Sequence, residues 1–216
     1  MEYKIITRNL FLIVILSVAF PALAQIDPNK KITIVIDPGH GGKDSGAIGY
    51  YDLKEKDITL KLALEILNLN SKQNLLEIYL TRTTDTLISL YDRSKLAIAL
   101  KPDLFISLHL NHSLNASATG MEVFVARTQL TENLKESIFI ANEIHNALTS
   151  TLGFKSRGVK FANFQVLRET IQFVPSILVE FCFISNKDEA HYLSENSNLK
   201  ALAFSILNSL TTKPEL

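Results

Sequence analysis

The sequence predicts an α/β fold: a single layered domain, with a mostly parallel twisted sheet of about six strands and helices on both faces. Three observations predict it. Short apolar runs rich in β-branched residues alternate with longer segments whose apolar residues recur at helical spacing. A chain of 216 residues suits one domain with a sizeable core. No internal repeat, low-complexity stretch or interdomain linker interrupts the alternation.

The elements follow in order. Ile32 to Ile36 is a short β-branched run and reads as a buried strand. It enters Asp37-Pro38-Gly39-His40-Gly41-Gly42, where Pro and Gly force a loop. Asp57 to Asn70 reads as a helix, with Ile58, Leu62, Ile66 and Leu69 on one face. Leu75 to Leu80 is a second strand, and Leu87 to Leu100 a second helix that ends before Lys101-Pro102. Leu104 to Leu108 is a third strand, ending at His109, and Met121 to Ala126 a fourth. Thr131 to Ser150 is a long helix with Leu134, Ile138, Ala141 and Leu148 turned inward. Phe164 to Leu167 and Ile177 to Phe181 are read as the remaining strands, and Asp188 to Leu193 and Leu199 to Leu210 as closing helices.

The N-terminus has another character. Lys4 and Arg8 precede the apolar run Leu10 to Phe20, and Ala22-Leu23-Ala24 has the small-x-small pattern of a signal-peptidase site. Residues 1–24 are expected to be a secretory signal peptide, 25–31 a polar lead-in and 32–216 the functional domain. The apolar run is short for a membrane span, which needs about 20 residues, so the mature protein is expected to be exported to the periplasm or the cell-wall space. Cys182 is the only cysteine, so no intrachain disulfide can staple the fold, and its simplest role is a small buried hydrophobe. Lys+Arg and Asp+Glu both number 22, leaving no basic excess to release phosphate counterions, which argues against a nucleic-acid binder.

The chemistry-bearing residues lie at the carboxyl ends of strands, where α/β proteins build ligand sites. Glu180 interrupts the apolar run Ser176 to Phe183, and a carboxylate there needs a cationic partner or performs acid/base chemistry. His40 follows the first strand in the Gly-rich turn. His109 ends the third strand, with His112 three residues on as a rival; His145 and His191 fall in helices and read as surface or cap-proximal residues. Glu55, in Lys54-Glu55-Lys56-Asp57, is sufficiently explained as an acid that complements a helix N-terminus. Two imidazoles and a carboxylate are also a known ligand set for catalytic zinc, which lowers the pKa of a bound water toward about 7.

Val35-Ile36-Asp37-Pro38-Gly39-His40-Gly41-Gly42, Leu53-Lys54-Glu55-Lys56-Asp57, Leu80-Thr81-Arg82-Thr83, Phe105-Ile106-Ser107-Leu108-His109 and Val179-Glu180-Phe181 occur in that order. Together, from about Ile32 to about Leu210, the chain resembles the zinc-dependent N-acetylmuramoyl-L-alanine amidases. The resemblance implies zinc on His40, Glu55 and His109, with Glu180 as the catalytic proton carrier. It implies peptidoglycan as substrate, cleaved between N-acetylmuramic acid and L-alanine, by a monomer for which a protein activator stays open. Asn111 is implied as a contact to substrate or an organiser of the loop. Arg168 is read as a strand-end residue able to bind a stem-peptide carboxylate, against a surface ion pair. Arg82 and Arg93 are read as structural ion-pair formers. The chain departs from the family at Cys182, where glycine is common, and in the bulky run Leu110 to Ser113. The short passage from Ala126 to Thr131 leaves no room for the autoinhibitory helix of some relatives. A secreted zinc peptidase or deacetylase, and an inactive wall-binding module, are the alternatives.

Overall fold

The computed structural model describes residues 31–211, so the expected signal peptide and lead-in, apart from Lys31, lie outside the described residues. The strands are β1 (Ile32–Pro38), β2 (Leu76–Leu80), β3 (Leu104–Asn111), β4 (Met121–Ala126), β5 (Ser156–Ala162) and β6 (Ser176–Phe183). The α-helices are α1 (Glu55–Gln73), α2 (Leu90–Leu100), α3 (Glu132–Leu152), α4 (Gln165–Thr170), α5 (Lys187–Ser194) and α6 (Asn196–Thr211). The strands form one six-stranded sheet in the order β2-β1-β3-β6-β4-β5. All neighbouring pairs are parallel except β4 with β6.

This order places helices on both faces. The chain steps from β1 to β2 in one direction and from β2 back past β1 to β3 in the other. Right-handed crossovers therefore send α1 and α2 to opposite sides. On one side α6 packs between α1 and α3, and on the other α2 packs on α4. The central strands are buried on both faces, as continuous apolar runs require: Val35, Ile36, Phe105, Ile106, Leu108, Ile177 and Val179 are all fully buried. Each such side chain stabilises the fold by roughly 1.5–3 kcal/mol relative to exposure. The direction of winding reverses between β1 and β3, the kind of switch point beyond whose carboxyl ends α/β folds place ligand sites.

Several expected boundaries shift. Helix α1 starts at Glu55, and α2 starts at Leu90 because Ser89 caps it by accepting from the Asp92 amide at 3.1 Å. β3 continues through His109 to Asn111, so His109 stands inside the strand. The expected strand Phe164–Leu167 is helix: Val166, Leu167 and Thr170 are buried on one side of α4, and Thr170 returns its hydroxyl to the Val166 carbonyl. The sixth strand is instead Ser156–Ala162. As an edge strand carrying Arg157, Gly158 and Lys160, it lacks the apolar run by which the inner strands were read.

Candidate active site

The loop after β1 is held from below by two arginines. Asp37 is buried and accepts from Thr81 Oγ1 at 2.6 Å, Ser107 Oγ at 2.8 Å and Arg93 Nη1 at 2.7 Å. Arg93 also donates to the carbonyls of Pro38, at 2.6 Å, and His40, at 2.5 Å. Arg82 donates to the carbonyls of Pro38 and Gly39 at 3.0 and 2.8 Å. Arg93 thus makes the expected ion pair, whereas Arg82 is satisfied by carbonyl oxygens, which suits its fork of donors. The clamp holds His40 at φ 61°, a left-handed conformation that non-glycine residues seldom adopt.

Glu55 is the centre of the site. Although it opens α1, the residue is 4% exposed and its carboxylate serves more than the helix terminus. Its Oε1 accepts from the Leu110 amide at 3.0 Å and lies 2.9 Å from His109 Nδ1. Its Oε2 accepts from the Ala47 amide at 3.0 Å and lies 3.1 Å from His40 Nε2. The other nitrogen of His40, Nδ1, lies 2.9 Å from Asp44 Oδ2. Close approach depends on two glycines. A Cβ at Gly39 would meet the His109 ring at 2.4 Å, and one at Gly46 would meet both Glu55 Oε2 and His40 Cδ2 at 2.6 Å.

One nitrogen or oxygen from each of His40, Glu55 and His109 lies within 4.8 Å of the others, a group able to hold a metal ion. Its electrostatics favour a cation. Burial opposes the charged form of His40, but Glu55 and Asp44 outweigh it and raise the imidazole to about 9. Burial likewise opposes the charged form of Glu55, and the two histidines nonetheless hold it well below the usual carboxylate range.

Glu180 stands directly across from His109 in the β3–β6 pairing. Its Oε2 is buried and has no hydrogen-bond partner among the described residues. Burial, reinforced by Glu55 and Glu122 and only partly opposed by His109, pushes its pKa up to about 7. On the far side of Glu180, directly across β4–β6, is Glu122. Glu122 accepts from Asn111 Nδ2 at 2.6 Å, Arg157 Nε at 3.3 Å and Lys160 Nζ. His109, Glu180 and Glu122 therefore make one polar row across three neighbouring strands.

The structure brings His40, Glu55 and His109 together, sets Glu180 beside His109 and leaves His112 exposed outside the cluster. Asn111 faces Glu122, and its Oδ1 accepts from the His112 amide. Arg168 is not at a strand end: it is exposed on α4 and donates to Asn163. His145 is not a surface residue either; it is buried on α3, where Nε2 accepts from the Gly158 amide at 3.2 Å and lies 3.1 Å from Ser156 Oγ. His191 is exposed beside Tyr51. Cys182 is fully buried, and burial pushes its thiol well above its ordinary pKa, away from the thiolate that metal binding requires. Glu122, Asp44 and Asp37 were not singled out in the sequence. Glu122 carried the same signal as Glu180, an acid within an apolar strand.

Comparison with known proteins decides the family. The model of a family described as N-acetylmuramoyl-L-alanine amidase matches residues 34–212. The chain belongs to the N-acetylmuramoyl-L-alanine amidase family. Among other members, LytC of Bacillus subtilis, an N-acetylmuramoyl-L-alanine amidase, is 38% identical over 163 residues, covering 76% of this chain and 32% of LytC. The endolysin of Bacillus phage SPP1 is 36% identical, covering 78% of this chain and 60% of its own length. The chain thus spans 32% and 60% of the length of these two relatives. The catalytic domain of the amidase CwlV of Bacillus (Paenibacillus) polymyxa superposes with a TM-score of 0.75 at 34% identity, covering 83% of this chain and 96% of that domain. The α/β sheet and its helices are those of this amidase family.

Proposed function

We propose that this chain hydrolyses the amide joining the lactyl group of N-acetylmuramic acid to the L-alanine of the peptidoglycan stem peptide, with zinc held by His40, Glu55 and His109. The observation that carries the reading is the convergence of those three side chains beside the unpartnered Glu180. The donor set fits the ion. A tetrahedral zinc with bonds of about 2.1 Å spaces its ligand atoms roughly 3.4 Å apart, and one donor atom from each of the three residues lies within 4.8 Å of the others. Asp44 fixes His40 through Nδ1 and directs Nε2 into the site, the orienting role a carboxylate plays behind a ligand histidine. Zinc bound here would supply Lewis acidity to the scissile carbonyl and lower the pKa of a water to about 7.

The protein's own groups then move the proton. The Glu180 carboxylate accepts it from the attacking water and delivers it to the departing nitrogen of L-alanine. A carboxyl near 7 suits this work, because it takes and releases a proton at neutral pH with little bias. The Ala47 and Leu110 amides keep Glu55 from rotating away from the histidines. We infer also that the chain acts outside the cytoplasmic membrane. Residues 1–24 carry the signal-peptide pattern, and the substrate lies there. Among the described residues, no helix is long and apolar enough to cross a membrane.

The test is digestion of purified peptidoglycan by the full chain, with chelator and then with zinc restored, read by mass spectrometry. Peptides with a free L-alanine amino terminus should appear only with metal. Activity indifferent to chelation removes zinc from the reading. Products cut elsewhere would instead make the chain a peptidase or deacetylase.

A further inference from the structure

The polar row does not stop at Glu180. We propose that Lys160 and Arg157, gathered by Glu122, form a subsite for a carboxylate on the peptide side of the substrate, one residue beyond the L-alanine. The inference rests on the amidase reading and extends it to specificity.

Glu122 is 6% exposed, yet it faces two cations and Asn111. One carboxylate thus faces both a lysine and an arginine, the arginine lying also in the field of Glu189. Both cations reach the surface: the Lys160 side chain is 42% exposed and that of Arg157 33%. Neither exhausts its donors on Glu122. Lys160 offers three N–H groups, and Arg157 uses Nε on Glu122 and Nη1 on the Thr119 carbonyl. The Arg157 guanidinium also lies over the Phe183 ring, 4.8 Å from its centroid, which fixes it at the end of the strand that carries Glu180. Glu122 is thus a positioning residue, and the cations it steadies are the recognition groups.

The direction of the substrate follows from the chemistry. The proton carried by Glu180 goes to the departing nitrogen, so that nitrogen lies nearest Glu180. The lactyl carbonyl lies toward His40, Glu55 and His109. The peptide therefore leaves the metal group across β6 toward β4 and β5. Neighbouring strands are about 4.8 Å apart, so the cations attached to Glu122 stand one to two spacings, roughly 5–10 Å, beyond Glu180. Two extended residues span about 7 Å. A carboxylate on the second stem residue would arrive at these donors. A carboxamide there would find donors where it needs acceptors for its own N–H groups.

The test compares two muropeptides that differ only at the second stem residue, one with a free carboxylate and one with its carboxamide. With the zinc-loaded full chain, the carboxylate form should show a kcat/KM about tenfold higher, chiefly through KM, the size of one charge-assisted contact at a partly exposed site. Lys160→Met should erase the difference, and Lys160→Arg should keep most of it. Calorimetry of the released stem peptides with metal-free chain gives a readout without turnover, where the same preference should appear and vanish with Lys160→Met. Equal handling of the two forms by the unmodified chain, or an undiminished preference in Lys160→Met, overturns the subsite while the amidase reading stands. Release of no peptide bearing an L-alanine amino terminus overturns the amidase reading and the subsite with it.

Discussion

Glu180 and Glu122 are cross-strand neighbours, each an acid in an otherwise apolar strand, and they have opposite fates. Glu122 is surrounded by donors from Asn111, Arg157 and Lys160, and these outweigh burial to hold its pKa low. Glu180 has one oxygen with no partner among the described residues, and burial drives its pKa up to about 7. The two positions lie within one strand spacing and share a face of the sheet. What separates them is the supply of donors: β5 lies beside β4 and brings two cations to Glu122, while β3 offers Glu180 a histidine already committed to Glu55. A saturated carboxylate holds structure, and an unsaturated one is free to exchange a proton.

The sharpest way to break this comparison is Glu180→Gln. It should lower kcat by about a thousandfold or more, the loss of a general acid–base group, while zinc content measured by elemental analysis stays at the unmodified level. A variant with near-normal turnover would remove Glu180 from proton transfer. Glu122→Ala should act mainly on the fold, costing about 2 kcal/mol in urea unfolding, because its two cations regain water but Asn111 loses its partner. A stability loss below about 0.5 kcal/mol would mean the network is only a surface feature.

Stability against pH separates the two acids by sign. Folding lowers the pKa of Glu122 below the ordinary 4.5, so its contribution is present above that value and is lost as pH falls through the lower folded value. Folding raises that of Glu180 to about 7, so the folded chain keeps a proton that the unfolded chain releases. Its effect is that stability declines as pH rises from about 4.5 to about 7, then levels off. Metal-free protein should therefore lose stability relative to Glu180→Gln across that window, and should lose its advantage over Glu122→Gln only in more acid solution. Parallel curves for the two pairs would contradict the assignment. The smallest effect is expected for Cys182→Ala, about 1 kcal/mol from lost packing, with zinc content unchanged.

Much of this was legible in the chain. The strands that became β1, β3 and β6 are continuous apolar runs because both faces are covered, and that pattern survives any detail of packing. Glu180 stands out because it interrupts such a run and His109 because it directly follows one, while His40 lies in the glycine-rich turn beyond another. Glu55 does not stand out, since an acid at a helix start has an adequate local explanation; only the fold puts two histidines against it. The edge strand Ser156–Ala162 was hidden by its charges, which serve solvent and Glu122 rather than a core. The burial of His145 is hidden for a related reason: its partners Ser156 and Gly158 belong to β5, and a helical histidine gives no sign of them.

The sequence by itself determined the layered fold, the strand ends where polar residues collect, and the residue types able to hold a metal. These depend on local preference and hydrophobic period, which act within a few residues. Tertiary structure decided which acid is satisfied and which is not, because hydrogen-bond partners come from strands far apart in the chain. That decision separates Glu122 from Glu180: one is a satisfied support, and the other keeps the free oxygen on which the proposed proton transfer rests.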